Sequence, residues 1–181
     1  MSTNEQVIET KRIYEGRILN FRVDTVRLPN GKTSIREIVE HRGAVAMVPM
    51  LDRETVILVR QDRLAAGTRL LEIPAGTRDP NEEIEACARR ELAEEIQYEA
   101  GRMIKLCSFY TAPGFSTEKI HMFLALDLEP CDGHADEDEF LEIVIMPLAK
   151  AIELIGAGEI EDAKSIAGLL SAEKMLAQLK H

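Results

Sequence analysis

Residues 70–99, LLEIPAGTRDPNEEIEACARRELAEEIQYE, constrain this chain more than any other stretch. A short apolar run stops at Pro74-Ala75-Gly76, a polar loop follows, and the pattern then becomes helical with an unusual density of carboxylates. Glu91 and Glu95 are four residues apart and so share one helix face, with Glu94 on the neighbouring flank and Arg90 beside them. Ala86, Cys87, Ala88, Leu92 and Ala93 supply small or apolar surface for packing. Like charges at this spacing cost an isolated helix roughly 0.2–0.5 kcal/mol. A divalent cation converts that repulsion into a binding site, because hard cations prefer carboxylate oxygens.

Ahead of this stretch the pattern is that of strands. Apolar and charged residues alternate over 11–28, Pro29-Asn30-Gly31 signals a turn, and 33–40 reads as the returning strand of an antiparallel hairpin. Residues 1–9 are polar and read as a loose end. The nearly all-apolar runs 44–51 and 55–59, joined by Asp52-Arg53-Glu54, read as a central hairpin buried on both faces, and Arg60-Gln61-Asp62-Arg63 reads as the end of its second strand. Further strands are expected over 102–110, 119–128 and 141–147, and helices over 148–155 and 162–179, divided by Gly156-Ala157-Gly158. The expected fold class is α/β (α+β), a mixed sheet sandwiched between helices with an N-terminal antiparallel hairpin extension. The division is 1–43 for the extension and 44–181 for the main domain.

Composition narrows the class. With 181 residues, 45% apolar and 30% charged, the chain suits an ordinary globular domain. No apolar run reaches the roughly 20 residues that span a bilayer, and MSTNEQVIETKR has no apolar signal core, so no membrane partner and a cytoplasmic location are expected. Cys87, Cys107 and Cys131 lack metal-type spacing and read as reduced thiols. A net charge of −10 argues against nucleic acid as a partner, which needs basic surface to replace counterions. A small anionic substrate stays open, since a bound cation reverses the local sign.

Gly76, Glu82, Arg90, Glu91, Leu92, Glu94 and Glu95 stand at the spacing of the Nudix hydrolase signature: Gly, five residues, Glu, seven residues, Arg-Glu, an apolar residue, any residue, Glu-Glu. The signature continues with any residue and then Gly. Here Gln97 takes the glycine's place, followed by Tyr98, and a non-glycine residue at such a helix end costs on the order of 1 kcal/mol. Pro113, fifteen residues beyond Tyr98 and within Pro-Gly-Phe-Ser, resembles the ADP-ribose pyrophosphatase branch of that family. So do Tyr14-Glu15-Gly16-Arg17, Leu28-Pro29-Asn30-Gly31, His41-Arg42-Gly43-Ala44 and Val59-Arg60-Gln61-Asp62-Arg63, although the branch has an aromatic where Asp62 stands.

The resemblance implies Mg²⁺, with Mn²⁺ a possible substitute, held by Glu91, Glu94, Glu95 and the backbone carbonyl of Ala75. Gly76, Glu82 and Arg90 take structural roles in the motif, and Glu91 and Glu95 also count as catalytic through the metal. It implies that Glu139, or in second place Glu137, orients or deprotonates the attacking water. Arg63 is implied to contact the diphosphate, while Glu72 either faces the site or pairs with a neighbouring Arg. Tyr14, Phe21 and Gly114 are candidates for the nucleoside side. The implied activity is Mg-dependent hydrolysis of a nucleoside diphosphate sugar, foremost ADP-ribose to AMP and ribose 5-phosphate, by a homodimer whose extension contributes across the interface. GDP-mannose, another such sugar or an oxidised nucleotide is the alternative substrate, and a non-catalytic nucleotide-binding module is the alternative of another class.

Overall fold

The computed structural model describes residues 4–133 and 140–179. Among them the chain forms β1 (Gln6–Glu15), β2 (Leu19–Arg27), β3 (Thr33–His41), β4 (Ala44–Pro49), β5 (Thr55–Arg63), β6 (Thr68–Glu72), β7 (Ala75–Thr77), α1 (Ile84–Ile96), β8 (Tyr98–Tyr110), β9 (Lys119–Pro130), β10 (Glu142–Pro147), α2 (Leu148–Ala157) and α3 (Ala163–Gln178). Two compact units result: residues up to Gly43 with Tyr110–Lys119, and Ala44–Phe109 with the chain from Ile120 onward.

The first unit is an antiparallel sheet in the order β1-β2-β3. The expected hairpin is β2 and β3, joined through Gly31 at φ 83° and in register from Leu19↔His41 to Arg27↔Thr33. A third strand precedes it. Residues 6–9 are no loose end, because β1 begins with Gln6 opposite Arg27. Backbone groups pair whatever the side chains, so a polar segment with a free strand edge beside it joins the sheet. Residues 110–119 join this unit through Val39, whose N–H donates to Phe115 O at 2.8 Å and whose carbonyl accepts from Thr117 N–H at 3.0 Å.

The second unit has two sheets, β10-β5-β6 and β7-β4-β9-β8, with β4 parallel to β9. Both apolar runs are buried on both faces, but they form no hairpin with one another. They enter different sheets and meet through a single bridge, Met50↔Val56. The hairpin partner of β5 is β6, paired from Val59↔Glu72 to Arg63↔Thr68, and Arg60–Arg63 form the end of β5 as expected. An apolar run records burial on both faces, not which strand lies alongside.

Strand alternation divides the core in two. Ala46, Val48, Val56, Leu58, Met122 and Leu124 face α2 and α3, whereas Val45, Met47, Ile57, Val59, Phe123 and Ala125 face α1. The strands are therefore sandwiched between α1 on one side and α2 with α3 on the other. α2 ends on Gly158 at φ 75°, and α3 starts on Asp162, whose side chain accepts from Ser165 N–H.

Candidate active site

α1 buries Cys87, Ala88, Glu91, Leu92, Glu95 and Ile96, two adjacent lines at i,i+4 spacing. Ala88, Leu92 and Ile96 are the apolar line against the core; Glu91 and Glu95 continue the line of Cys87 and are only 8% and 7% exposed. Packing of the apolar line thus carries two carboxylates to the rim of the core. Burying carboxylates is costly unless they are paired. Their partners come from the loop before the helix and from Arg90.

Glu95 accepts the backbone N–H of Ala75 at 3.0 Å. Gly76 lies against Glu91 so closely that a Cβ there would come within 1.8 Å of Glu91 Cδ, so any larger residue would displace the Glu91 carboxylate from its place. The loop is anchored on its other side as well. Met47 N–H donates to Pro74 O at 2.9 Å, and Ala75 and Gly76 pair with Ala46 and Val45 of β4.

Arg90 ties loop to helix. Its Nε and Nη2 donate to the two oxygens of Glu82 at 2.8 and 3.0 Å. Its Nη1 reaches Glu94 at 2.7 Å and Glu91 at 2.9 Å. This fork holds the Glu82 carboxyl down at about 2 and pushes the guanidinium up. Burial, followed by the nearby Glu82 carboxylate, pushes the Cys87 thiol up to about 12, so it stays protonated and serves as packing. The helix ends on Gln97 in the left-handed region, φ 59° and ψ 42°, with its N–H donating to Ala93 O. Gln97 therefore occupies the conformation that the signature's glycine would adopt without strain.

A second charged cluster lies at the end of β6. Glu72 is 1% exposed and receives a fork from Arg63, Nε at 2.8 Å and Nη2 at 2.7 Å. Lys164 Nζ also donates to Glu72, and to Asp162 at 2.8 Å. Burial alone would raise the Glu72 carboxyl; Arg63 and Lys164 outweigh it and lower it. The Arg63 guanidinium is pushed up, by Glu72 first, and with smaller contributions from the charges of Asp162 and Glu95.

The geometry brings together Ala75, Gly76, Glu82, Arg90, Glu91, Glu94 and Glu95, and separately pairs Arg63 with Glu72. Tyr14, which is exposed and opposite Phe21, and Gly114, at a turn closed by Phe115 N–H on Ala112 O, belong to the other unit. Glu137 and Glu139 lie outside the described residues. Lys164, Asp162 and Ser165 went unread in the sequence. One signal was available: a Lys in the first turn of a helix opposes the macrodipole and asks for a carboxylate partner.

Among the described residues no group of three acid, His or Cys side chains is gathered to hold a metal ion. Arg90 stands among the glutamates and supplies their counter-charge. The donor set still has the chemistry of a hard-cation site, since Glu91, Glu94 and Glu95 offer carboxylate oxygens from one helix and Gly76 puts no side chain of its own against Glu91.

Fold and site together define a mixed α+β protein whose glutamate-bearing helix is locked to a glycine loop at a sheet edge. The chain belongs to the NUDIX family: the NUDIX domain model matches residues 40–169, and the nucleoside diphosphate sugar hydrolase N-terminal domain model matches residues 5–39. It is 42% identical over 166 residues to the ADP-ribose pyrophosphatase of Bacillus subtilis (strain 168), covering 91% of this chain and 90% of that one. It is 34% identical to the GDP-mannose pyrophosphatase of Klebsiella pneumoniae, covering 92% and 90%. A crystal structure of an ADP compounds hydrolase superposes with a TM-score of 0.87 at 25% identity, covering 98% of this chain and 97% of that one.

Proposed function

We propose that the protein hydrolyses the diphosphate bond of a nucleoside diphosphate sugar, with ADP-ribose, giving AMP and ribose 5-phosphate, as its foremost substrate. The observation that carries this reading is the apposition of Gly76 to the Glu91 carboxylate, with Arg90 locked to Glu82 and Glu95 joined to Ala75. Relatives named ADP-ribose pyrophosphatase and GDP-mannose pyrophosphatase support the substrate class.

Glu91, Glu94, Glu95 and the Ala75 carbonyl would hold a divalent cation, Mg²⁺ with Mn²⁺ as a substitute, which screens the polyanion and activates water. Arg90 and Glu82 keep loop and helix in one geometry. Arg63, held by Glu72 through Nε and Nη2, offers its remaining N–H edge to a diphosphate oxygen. Glu139, with Glu137 second, takes the proton of the attacking water as its oxygen bonds to phosphorus and the bridging P–O bond breaks. Residues 1–43, with Tyr14 and Phe21, serve dimerisation and the nucleoside pocket together with Gly114, and 44–181 carry the hydrolysis.

The reading makes the protein a cytoplasmic homodimer without nucleic-acid or membrane partners. Its net charge of −10 supports the part that concerns nucleic acid, which needs basic surface.

A screen of ADP-ribose, GDP-mannose, other nucleoside diphosphate sugars and oxidised nucleotides with Mg²⁺, read by phosphate released after phosphatase treatment, tests the assignment. ADP-ribose is expected to show the highest kcat/KM. A higher value for GDP-mannose moves the substrate within the class, and binding without turnover of any of them supports a non-catalytic module.

A further inference from the structure

The first turn of α3 touches the segment that carries Arg63's partner, and no signature residue lies in it. Asp162, Lys164 and Ser165 form one connected set: Asp162 accepts from Ser165 N–H and Oγ–H and from Lys164 Nζ, Lys164 donates onward to Glu72, and Ser165 Oγ accepts the N–H of Ile73 at 2.8 Å. Residues 72 and 73 are thus both fixed by α3. Two residues further on, Ala75 is fixed by Glu95. Glu72 alone would leave a nearly fully buried carboxylate with one half-exposed guanidinium for company, since the Arg63 side chain is 41% exposed. Lys164, 9% exposed, provides the buried second cation.

From this geometry we propose that Lys164 is a positioning residue for substrate binding. Its ammonium, shared between Asp162 and Glu72, fixes the Glu72 carboxylate, and Glu72 in turn orients the Arg63 guanidinium. Among the described residues Arg63 hydrogen-bonds through Nε and Nη2, both to Glu72, so the plane of its fork follows the plane of that carboxylate. Fixing Glu72 therefore fixes the direction in which Nη1 points. The charge of Glu95 also acts on the same guanidinium. A lysine serves because its target is a single oxygen: Lys164 and Arg63 Nη2 share Oε2, while Nε takes Oε1.

This inference rests on the proposed diphosphate hydrolysis, with Arg63 contacting substrate in both the ground state and the transition state. Loss of such a contact raises KM and spares kcat. The test is a double-mutant cycle on steady-state kinetics, using whichever nucleoside diphosphate sugar the wild type turns over best, with thermal unfolding recorded for each variant. Failure of the wild type to hydrolyse any such sugar refutes the function, not the positioning.

With turnover established, Lys164→Met is expected to raise KM about tenfold with kcat within about threefold of wild type. Lys164→Arg, which keeps the charge, is expected to recover most of that KM. In an Arg63→Ala background Lys164→Met is expected to change KM by less than about twofold, because coupled residues are not additive. An equal rise in KM with and without Arg63, or no rise at all, overturns the proposal. Should Lys164→Met fail to fold, Lys164→Gln, whose shorter and neutral amide does not replace the ammonium shared by Asp162 and Glu72, goes through the same cycle, with the same Arg63-dependent rise expected and the same additive or null result fatal.

Discussion

Glu95 shows how one side chain serves fold and chemistry at once. It sits on the buried stripe of α1, accepts Ala75 N–H, and stands four residues from Glu91. Replacing it by Gln keeps the size and an acceptor oxygen but removes the charge. Glu95→Gln is therefore expected to lower kcat by about 10²–10³ with the circular dichroism spectrum unchanged, on the scale of losing a main electrostatic group in a site. Unaltered turnover would remove these carboxylates from the mechanism. Glu82 gives a prediction in pH. Its folded-state value of about 2 lies below its ordinary 4.5, so its contribution to stability is complete above about 4.5 and is lost as pH falls toward 2. Urea unfolding at about pH 3 and pH 7 is expected to show a smaller pH difference for Glu82→Gln than for wild type.

The elements were legible where side-chain period and turn chemistry agreed. α1 announced itself by its i,i+4 stripe, and α2 and α3 by the break Gly156-Ala157-Gly158 that divides them. At the end of α1 the outcome was sharper than the pattern alone allowed, for Gln97 adopts the left-handed conformation itself and the helix does not run on. Its carbonyl also accepts Cys131 N–H at 2.9 Å, which ties the chain after β9 to this cap. Gln97→Gly is expected to stabilise the protein by about 0.5–1 kcal/mol in thermal unfolding with kcat unchanged, because glycine adopts φ > 0 without a Cβ clash. A destabilised variant would mean that the glutamine side chain contributes more than the strain costs. β1 was the element least visible in sequence. All ten of its residues are exposed, so burial leaves no trace in its pattern, and its place is set by hydrogen bonding to β2.

At the scale of the whole molecule, the interior strands are buried on two faces and the N-terminal sheet is not. Val7, Ile8, Ile13 and Tyr14 of β1 are exposed, as is Ile35 of β3. The proposed homodimer would give these exposed apolar groups a partner. Sedimentation equilibrium is expected to return about twice the chain mass of 20.3 kDa, and Ile13→Glu to shift it toward the monomer. A monomeric wild type at micromolar concentration would remove the dimer.

By itself the sequence determined the carboxylate helix, the two-faced burial of β4 and β5, and the glycine break between α2 and α3. Each of these follows from local period, steric size or turn chemistry, which neighbouring residues carry among themselves. Tertiary structure decided which strands lie side by side, since the same apolar alternation suits several partners. It also decided what holds Arg63. Glu72 and Lys164 are 92 positions apart, and a buried carboxylate finds its second cation only after α3 has packed against the sheet. The helix and its loop were written in one contiguous stretch; the charged set behind Arg63 exists only in three dimensions, because desolvation makes such partners obligatory without saying where in the chain they stand.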